Sequence, residues 1–276
     1  MAAVVRAVDL RGRRLVVTGV LTRSSIAFAV AARAQSLGAE VVLTGFGRRL
    51  RMTERAARAL PGSSPIVPLD VTSARDLEAL SDRVGEHMPA VDGVLHSIAF
   101  APGEAVDGDF VNTEPQAASA AYTVSAYSLK AVVDALRPLL NAAQPPGASV
   151  VALDFDASQA WPGYDWMGVA KAALEGLGRH LAAQAAPQGM RVNLISAGPV
   201  RTPAAGGISR FQSLLSLWER AAPLGWSGDE QDAIADVACY LLSSWSAGIT
   251  GERIHVDGGL HALGSLSRPA AEGESA

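Results

Sequence analysis

Short β-branched runs alternate along this chain with long, alanine-rich amphipathic windows. Residues 14–18 (RLVVT), 40–44 (EVVLT), 65–69 (PIVPL), 91–96 (VDGVLH), 148–153 (ASVVAL), 190–195 (MRVNLI) and 253–256 (RIHV) are nearly continuous in apolar character. Strands buried on both faces read this way, whereas half-exposed strands alternate. Between them the spacing predicts helices over 24–37, 48–60, 74–87, 116–140, 163–186, 210–222 and 229–242. Strand–helix alternation on this scale implies right-handed crossovers and an α/β fold. The expected architecture is a single doubly wound, Rossmann-type parallel sheet of about seven strands with helices on both faces. The turns at 61–64 (PGSS) and 144–147 (QPPG) lie within this alternation and are not linkers, and no repeat divides the chain. One domain is expected over 1–264, with the small, polar residues 265–276 as a flexible tail.

Composition narrows the class. The 276 residues are 49% hydrophobic and 18% charged, which supplies a core and argues against a disordered chain. A net charge of −4 leaves no polybasic surface for nucleic acid or anionic lipid. Arg, Gly and Asp interrupt every apolar stretch before it reaches membrane-spanning length. Residues 1–10 carry Arg6 and Asp9 and no apolar core of signal-peptide type. Cys239 is the one cysteine, so neither an internal disulfide nor a multi-Cys metal site is expected, and the five histidines lack metal-ligand spacing. The expected setting is a reducing cytoplasm, without metal. Of the 23 basic residues 21 are Arg, so the two lysines, Lys130 and Lys171, stand out.

Ligands of a doubly wound sheet gather at the carboxyl ends of its strands. The first such end reads VTGVLTRSSIA over 17–27. Gly19 suits the tight turn that brings backbone N–H groups to a phosphate, and the helix starting near Ser24 adds its positive end. The segment is not G-x-G-x-x-G: Ser25 and Ala27, both small, stand where later glycines are usual, and Ser24 or Ser25 also suits a plain helix cap. No acidic residue closes the second strand, because Glu40 opens it. Its end instead reads TGFGRR over 44–49, where Phe46 can stack on an adenine and Arg48 and Arg49 can meet a 2′-phosphate or face solvent. Asp70, ending the third strand, can accept from an adenine amino group or, with Ser73, cap the next helix.

Four further motifs follow: DGVLHSIAFAP (92–102), YDWMGVAK (164–171), AGPVRT (197–202) and VDGG (256–259). In this order and spacing the chain resembles the short-chain dehydrogenase/reductase superfamily. Within it, the chain resembles the type I enoyl-acyl-carrier-protein reductases of bacterial fatty-acid synthesis. The likeness runs over about residues 15–260, and VTG (17–19), SSIAF (24–28), LTGF (43–46) and DFD (154–156) echo mycobacterial-type members.

The Tyr/Lys spacing has a physical reading. At about 100° per residue, the step from Tyr164 to Lys171 turns a helix by about 700°, which puts both on one face two turns apart. Ketone-reducing members of the superfamily carry their Tyr where this chain has Met167 and their Ser where it has Asp154, so a carbonyl-reducing Ser–Tyr pair is missing. Reduction of an enoyl thioester sends hydride to the β-carbon and needs a donor at the developing enolate oxygen, which a Tyr hydroxyl supplies. The resemblance thus implies Tyr164 as enolate donor, Lys171 as holder of the nicotinamide ribose, and Phe155 as the aromatic beside the nicotinamide. Packing for Tyr164 and Phe155, and a solvated helix position for Lys171, are the plainer readings.

The resemblance also implies Ser25 and Ile26 along the pyrophosphate, Asp70 and Val71 at the adenine, and Ser97, Ile98 and Ala99 beside the ribose and nicotinamide. Val200 would offer its backbone to the carboxamide, Thr202 its hydroxyl to the pyrophosphate, with Gly19, Phe46 and Gly198 completing the cofactor set. The expected cofactor is NADH, with NADPH left open by Arg48 and Arg49. The expected substrate is a 2-enoyl thioester of acyl carrier protein or CoA, and the expected assembly a homotetramer. The segment 203–222, the lid over the acyl chain in this family, is shorter than in mycobacterial-type members, which implies short or medium chains. Trp161, Trp166 and Trp226 are expected near the cleft, Trp218 and Trp245 in packing. The rivals are another short-chain reductase working on a specialised metabolite, and a paralogue that binds NAD(H) without turnover.

Overall fold

A computed structural model describes residues 7–106, 109–208 and 210–264. The expected tail, 265–276, lies outside the described residues. Seven strands form one sheet: β1 (Arg14–Val17), β2 (Glu40–Gly45), β3 (Ile66–Pro68), β4 (Gly93–His96), β5 (Ser149–Asp154), β6 (Arg191–Ala197) and β7 (Arg253–Val256). All pairings are parallel, in the order β3-β2-β1-β4-β5-β6-β7. The α/β expectation is met, and each strand lies within a residue or two of its apolar run. β3 is the shortest, because Pro65 and Pro68 have no N–H to give the ladder.

The helices are α1 (Ile26–Ser36), α2 (Leu50–Ala57), α3 (Ala74–Glu78), α4 (Leu80–Gly85), α5 (Pro115–Tyr122), α6 (Ser128–Ala135), α7 (Arg137–Asn141), α8 (Asp165–Ala185), α9 (Phe211–Ala221) and α10 (Gln231–Leu242). One layer, with α1, α9 and α10, covers the sheet face of Leu15, Val17, Val151 and Leu153. The other layer packs α4, α6, α7 and α8 on the opposite face, against Val16, Val94, Val150 and Ala152. Burial on both faces is the reason these strands read as continuous apolar runs.

Two predicted helices are broken. The window 74–87 divides at Ala79 into α3 and α4. The window 116–140 divides into α5, a π-helical turn over Thr123–Tyr127, α6, and α7, which follows a break at Leu136 just ahead of Pro138. Proline lacks the N–H that would continue a helix through that point. The π turn has a use in the site, described below.

The sheet order reverses between β1 and β4: β2 lies to one side of β1, and the chain returns to β4 on the other. That reversal opens a crevice at the carboxyl ends of the strands, where ligands of open α/β sheets bind.

Candidate active site

β1 leaves the sheet at Thr18, which is fully buried and bonded to the neighbouring exit. Its N–H and its hydroxyl both donate to the Leu95 carbonyl, at 3.0 Å each, and the hydroxyl oxygen accepts from the Ser97 N–H at 2.9 Å. Gly19 follows with φ +85, a left-handed conformation that side chains resist, and a Cβ there would stand 1.9 Å from the Ser97 carbonyl oxygen. Only glycine fits this crossing. Ser25 precedes α1 as its N-cap but makes no side-chain bond to the helix; its Oγ instead accepts the N–H groups of Leu21 and Thr22 at 3.2 and 3.0 Å. The loop is thereby pinned, while the uncapped N-terminus of α1 keeps N–H groups for an anion.

Along the same edge, Phe46 is 42% exposed at the end of β2, with Arg48 and Arg49 exposed beside it. Asp70 uses one carboxylate oxygen to accept from the Thr72 N–H and hydroxyl at 2.9 and 2.7 Å, while Ser73 caps α3 through the Asp76 N–H. Val71 is buried next to it. Ser97, Ile98 and Ala99 leave β4 half-buried to exposed, and the π turn holds the end of this stretch. Ser125 in that turn accepts from the Phe100 N–H at 2.9 Å and donates to the Phe100 carbonyl at 3.0 Å. One turn on, Ser128 meets His96 Nε2 at 2.8 Å. A π turn recurs at functional sites because it re-aims a helix face. No sequence signal marked it beyond two serines in an alanine-rich helix.

The other half of the edge carries the residues of the Tyr/Lys motif. Tyr164 lies between Gly163 at φ +75 and Asp165 at φ +36, so two left-handed residues fix how it enters α8. An Asp in that conformation stores strain of the kind found where a side chain must be presented in one way. The Tyr164 ring meets the Phe155 ring at 4.9 Å, and Phe155 meets Trp161 at 5.8 Å and Trp218 at 5.6 Å. Trp161 and Trp218 close the cluster at 4.8 Å. Burial, and then the charge of Asp154, push the Tyr164 hydroxyl far above the ordinary tyrosine range, so it stays a phenol and a donor.

Lys171 is 5% exposed and donates from Nζ to the Leu153 carbonyl at 2.8 Å. Burial lowers its pKa, and Asp154 opposes that shift. Past β6, Gly198 packs where a Cβ would come within 2.8 Å of Trp226, which gives this glycine a packing role of its own. Val200 is buried, and the Thr202 hydroxyl oxygen accepts the Ala205 N–H at 3.2 Å.

The expected site residues fall in the segments that follow the carboxyl ends of β1 to β6. Trp218 packs as expected, 2% exposed on the buried face of α9 with Leu214, Leu215 and Ala221, where it meets Phe155 and Trp161; Trp245, also expected in packing, is instead 51% exposed. Trp166 stacks on Phe110 at 5.0 Å and ties the loop after β4 to α8. The edge fits a dinucleotide on its own geometry: a topological reversal, a backbone crossing that no Cβ can enter, and a buried lysine with donors to spare.

Such a sheet and edge define a Rossmann-type oxidoreductase of the short-chain dehydrogenase/reductase kind. The profile of the family described as enoyl-(acyl carrier protein) reductase matches residues 19–261. The chain is 40% identical over 264 residues to the NADH enoyl-acyl-carrier-protein reductase of Mycolicibacterium smegmatis, covering 91% of this chain and 96% of that one. It is 40% identical over 252 residues to the Salmonella typhimurium enzyme of that name (91% and 94% covered) and 39% identical over 259 residues to that of Bacillus subtilis (92% and 97% covered). This chain belongs to the enoyl-(acyl carrier protein) reductase family.

Proposed function

We infer that this chain reduces trans-2-enoyl thioesters, carried on acyl carrier protein or CoA, in fatty-acid synthesis with NADH. The observation that carries the reading is Tyr164, buried as a phenol against Phe155 at the start of α8, two turns before the buried Lys171. Bound NADH supplies the hydride that adds to the substrate β-carbon. Tyr164 donates its hydroxyl proton in a hydrogen bond to the thioester oxygen and stabilises the enolate as it forms. Lys171 holds the ribose hydroxyls and adds positive charge close to that oxygen. Phe155 supports the Tyr164 ring and walls the nicotinamide side. The α-carbon then takes its proton from solvent. Gly19, Ser25 and Ile26 serve the pyrophosphate together with Thr202. Phe46, Asp70 and Val71 serve the adenosine, and Ser97, Ile98, Ala99, Gly198 and Val200 line the nicotinamide half.

The segment 203–222, shorter than the lid of mycobacterial-type members, supports short or medium acyl chains, because it offers less apolar wall to a long one. Residues 203–222 serve as the lid, hinged at Gly206 and Gly207, over one domain spanning 1–264. Copies of the chain pair through α5, the π turn and α8, where Tyr122, Tyr127 and Val169 are exposed large apolar residues, toward a homotetramer in the cytoplasm. Among the described residues no helix is long and apolar enough to cross a membrane.

Steady-state kinetics with NADH and NADPH on crotonyl, octenoyl and hexadecenoyl thioesters test this reading. The expected result is turnover with NADH and higher kcat/KM for the two shorter chains. Exposed Arg48 and Arg49 allow weaker use of NADPH. A kcat/KM that keeps rising through hexadecenoyl would overturn the chain-length assignment, and no turnover with either cofactor would overturn the activity.

A further inference from the structure

A buried polar group beneath the site has no part in the steps above. Along β5 the side chains of Val151 and Leu153 join the layer of α1 and α10, while Val150 and Ala152 face α6 and α8. Alternation sends Asp154 to the α8 side with them, and sends His96 there from β4 with Val94. Lys171 comes down onto this face from α8, one turn before the buried Leu174. Asp154 is 5% exposed, and both of its carboxylate oxygens are buried without a hydrogen-bond partner among the described residues. His96 Nδ1 is likewise unpartnered.

The charges around Asp154 come from every element packed there. Glu175, one turn beyond Lys171 on α8, bonds to Arg253 of β7, which Asp156 also contacts at 3.1 Å. Glu175 is thus committed elsewhere. His96 is held neutral, its pKa pushed down to about 3 by burial and then by Lys171, so it brings no charge. Tyr164 stays a phenol. Asp154 is left as the carboxylate whose field acts on Lys171. Burial raises the carboxyl to about 7, with the field of Lys171 opposing and that of Glu175 adding, while burial lowers Lys171 and the field of Asp154 opposes. The field of each group favours the charged form of the other.

We propose that Asp154 is a positioning residue for Lys171: its carboxylate supplies the counter-charge that keeps this buried side chain an ammonium. One of the three ammonium N–H donors goes to Leu153, and the others remain for the ribose hydroxyls. The proposal rests on the reductase reading, in which Lys171 holds the cofactor. Ketone-reducing relatives carry a Ser at this position, whose hydroxyl cannot supply the charge.

The lysine count makes the test direct. With only Lys130 and Lys171 in the chain, selective carbon-13 labelling of lysine gives two side-chain NMR signals. Lys130, exposed and paired with Asp134 at 2.8 Å, is the internal control. In Asp154→Asn the Lys171 signal is expected to titrate about one pH unit or more below wild type, with Lys130 unmoved. NADH dissociation constants, read by fluorescence, should weaken at correspondingly lower pH, by roughly tenfold at the alkaline end, with kcat at saturating NADH changed less. Asp154→Glu should recover most of the wild-type titration. Superimposable Lys171 titrations, or an NADH affinity lowered equally at every pH, would overturn the proposal. Should Asp154→Asn not fold, the wild-type spectrum decides: Lys171 must show a second inflection near neutral pH as Asp154 takes its proton, and its absence overturns the idea. The titration needs no substrate. Failure of the reductase reading would appear separately, as wild-type protein that does not bind NADH.

Discussion

Tyr164→Phe is expected to lower kcat about a hundredfold, the usual effect of removing one hydrogen-bond donor from a developing oxyanion, while leaving NADH affinity within about twofold of wild type. The replacement keeps the ring against Phe155 at 4.9 Å and keeps the burial of the site, so only the hydroxyl is lost. Because burial and Asp154 hold Tyr164 protonated, it acts as a hydrogen-bond donor throughout the working pH range. No tyrosine ionisation should therefore limit the wild-type rate at neutral or mildly alkaline pH. Steady-state kcat beside NADH binding by fluorescence separates the two effects. Equal loss of binding and rate would assign Tyr164 to packing, and unchanged kcat would remove it from the chemistry.

Gly19→Ala is expected to abolish NADH binding and to cost about 3 kcal/mol or more of folding stability. Two causes add. The residue sits at φ +85, and the new methyl would lie 1.9 Å from the Ser97 carbonyl oxygen and 2.9 Å from its carbon. Both obstacles are backbone, so no side chain can swing away. Relief requires the exits of β1 and β4 to part, breaking the bonds from Thr18 to Leu95 and Ser97 that close the crevice floor. Thermal unfolding with and without NADH measures it: a lower Tm and no cofactor-induced rise are expected, whereas a Tm near wild type that still rises with NADH would contradict this role.

The fold was legible because burial on both faces leaves a signature that period-two alternation does not: RLVVT, EVVLT and MRVNLI could only be interior strands. Gly19 was legible for a local reason, a glycine straight after a strand. Tyr164 and Lys171 were legible through helix periodicity and the scarcity of lysine. What escaped depends on contacts between segments far apart in sequence. Trp218 reads as a packing residue, but it meets Phe155 across more than sixty intervening positions, and no local pattern announces that partner. The π turn at Thr123–Tyr127 arises where Ser125 reaches the Phe100 backbone and Ser128 reaches His96, partners set by the sheet and not by the helix. Asp154 read as a departure from the ketone-reducing pattern and as part of the DFD stretch, with no role of its own. Its meaning depends on its being buried on the Lys171 side of the sheet with carboxylate oxygens that find no hydrogen-bond partner among the described residues, which is a fact of packing.

In the proposed reaction hydride reaches the β-carbon of an enoyl thioester while Tyr164 holds the enolate oxygen. Turnover of crotonyl thioester with NADH deuterated at nicotinamide C4 tests it most directly, with the product examined by mass spectrometry and NMR. The expected product is a saturated butyryl thioester carrying deuterium on the β-carbon, formed in step with NADH loss. An intact double bond with no NADH consumed, or deuterium found at the carbonyl carbon, would contradict it.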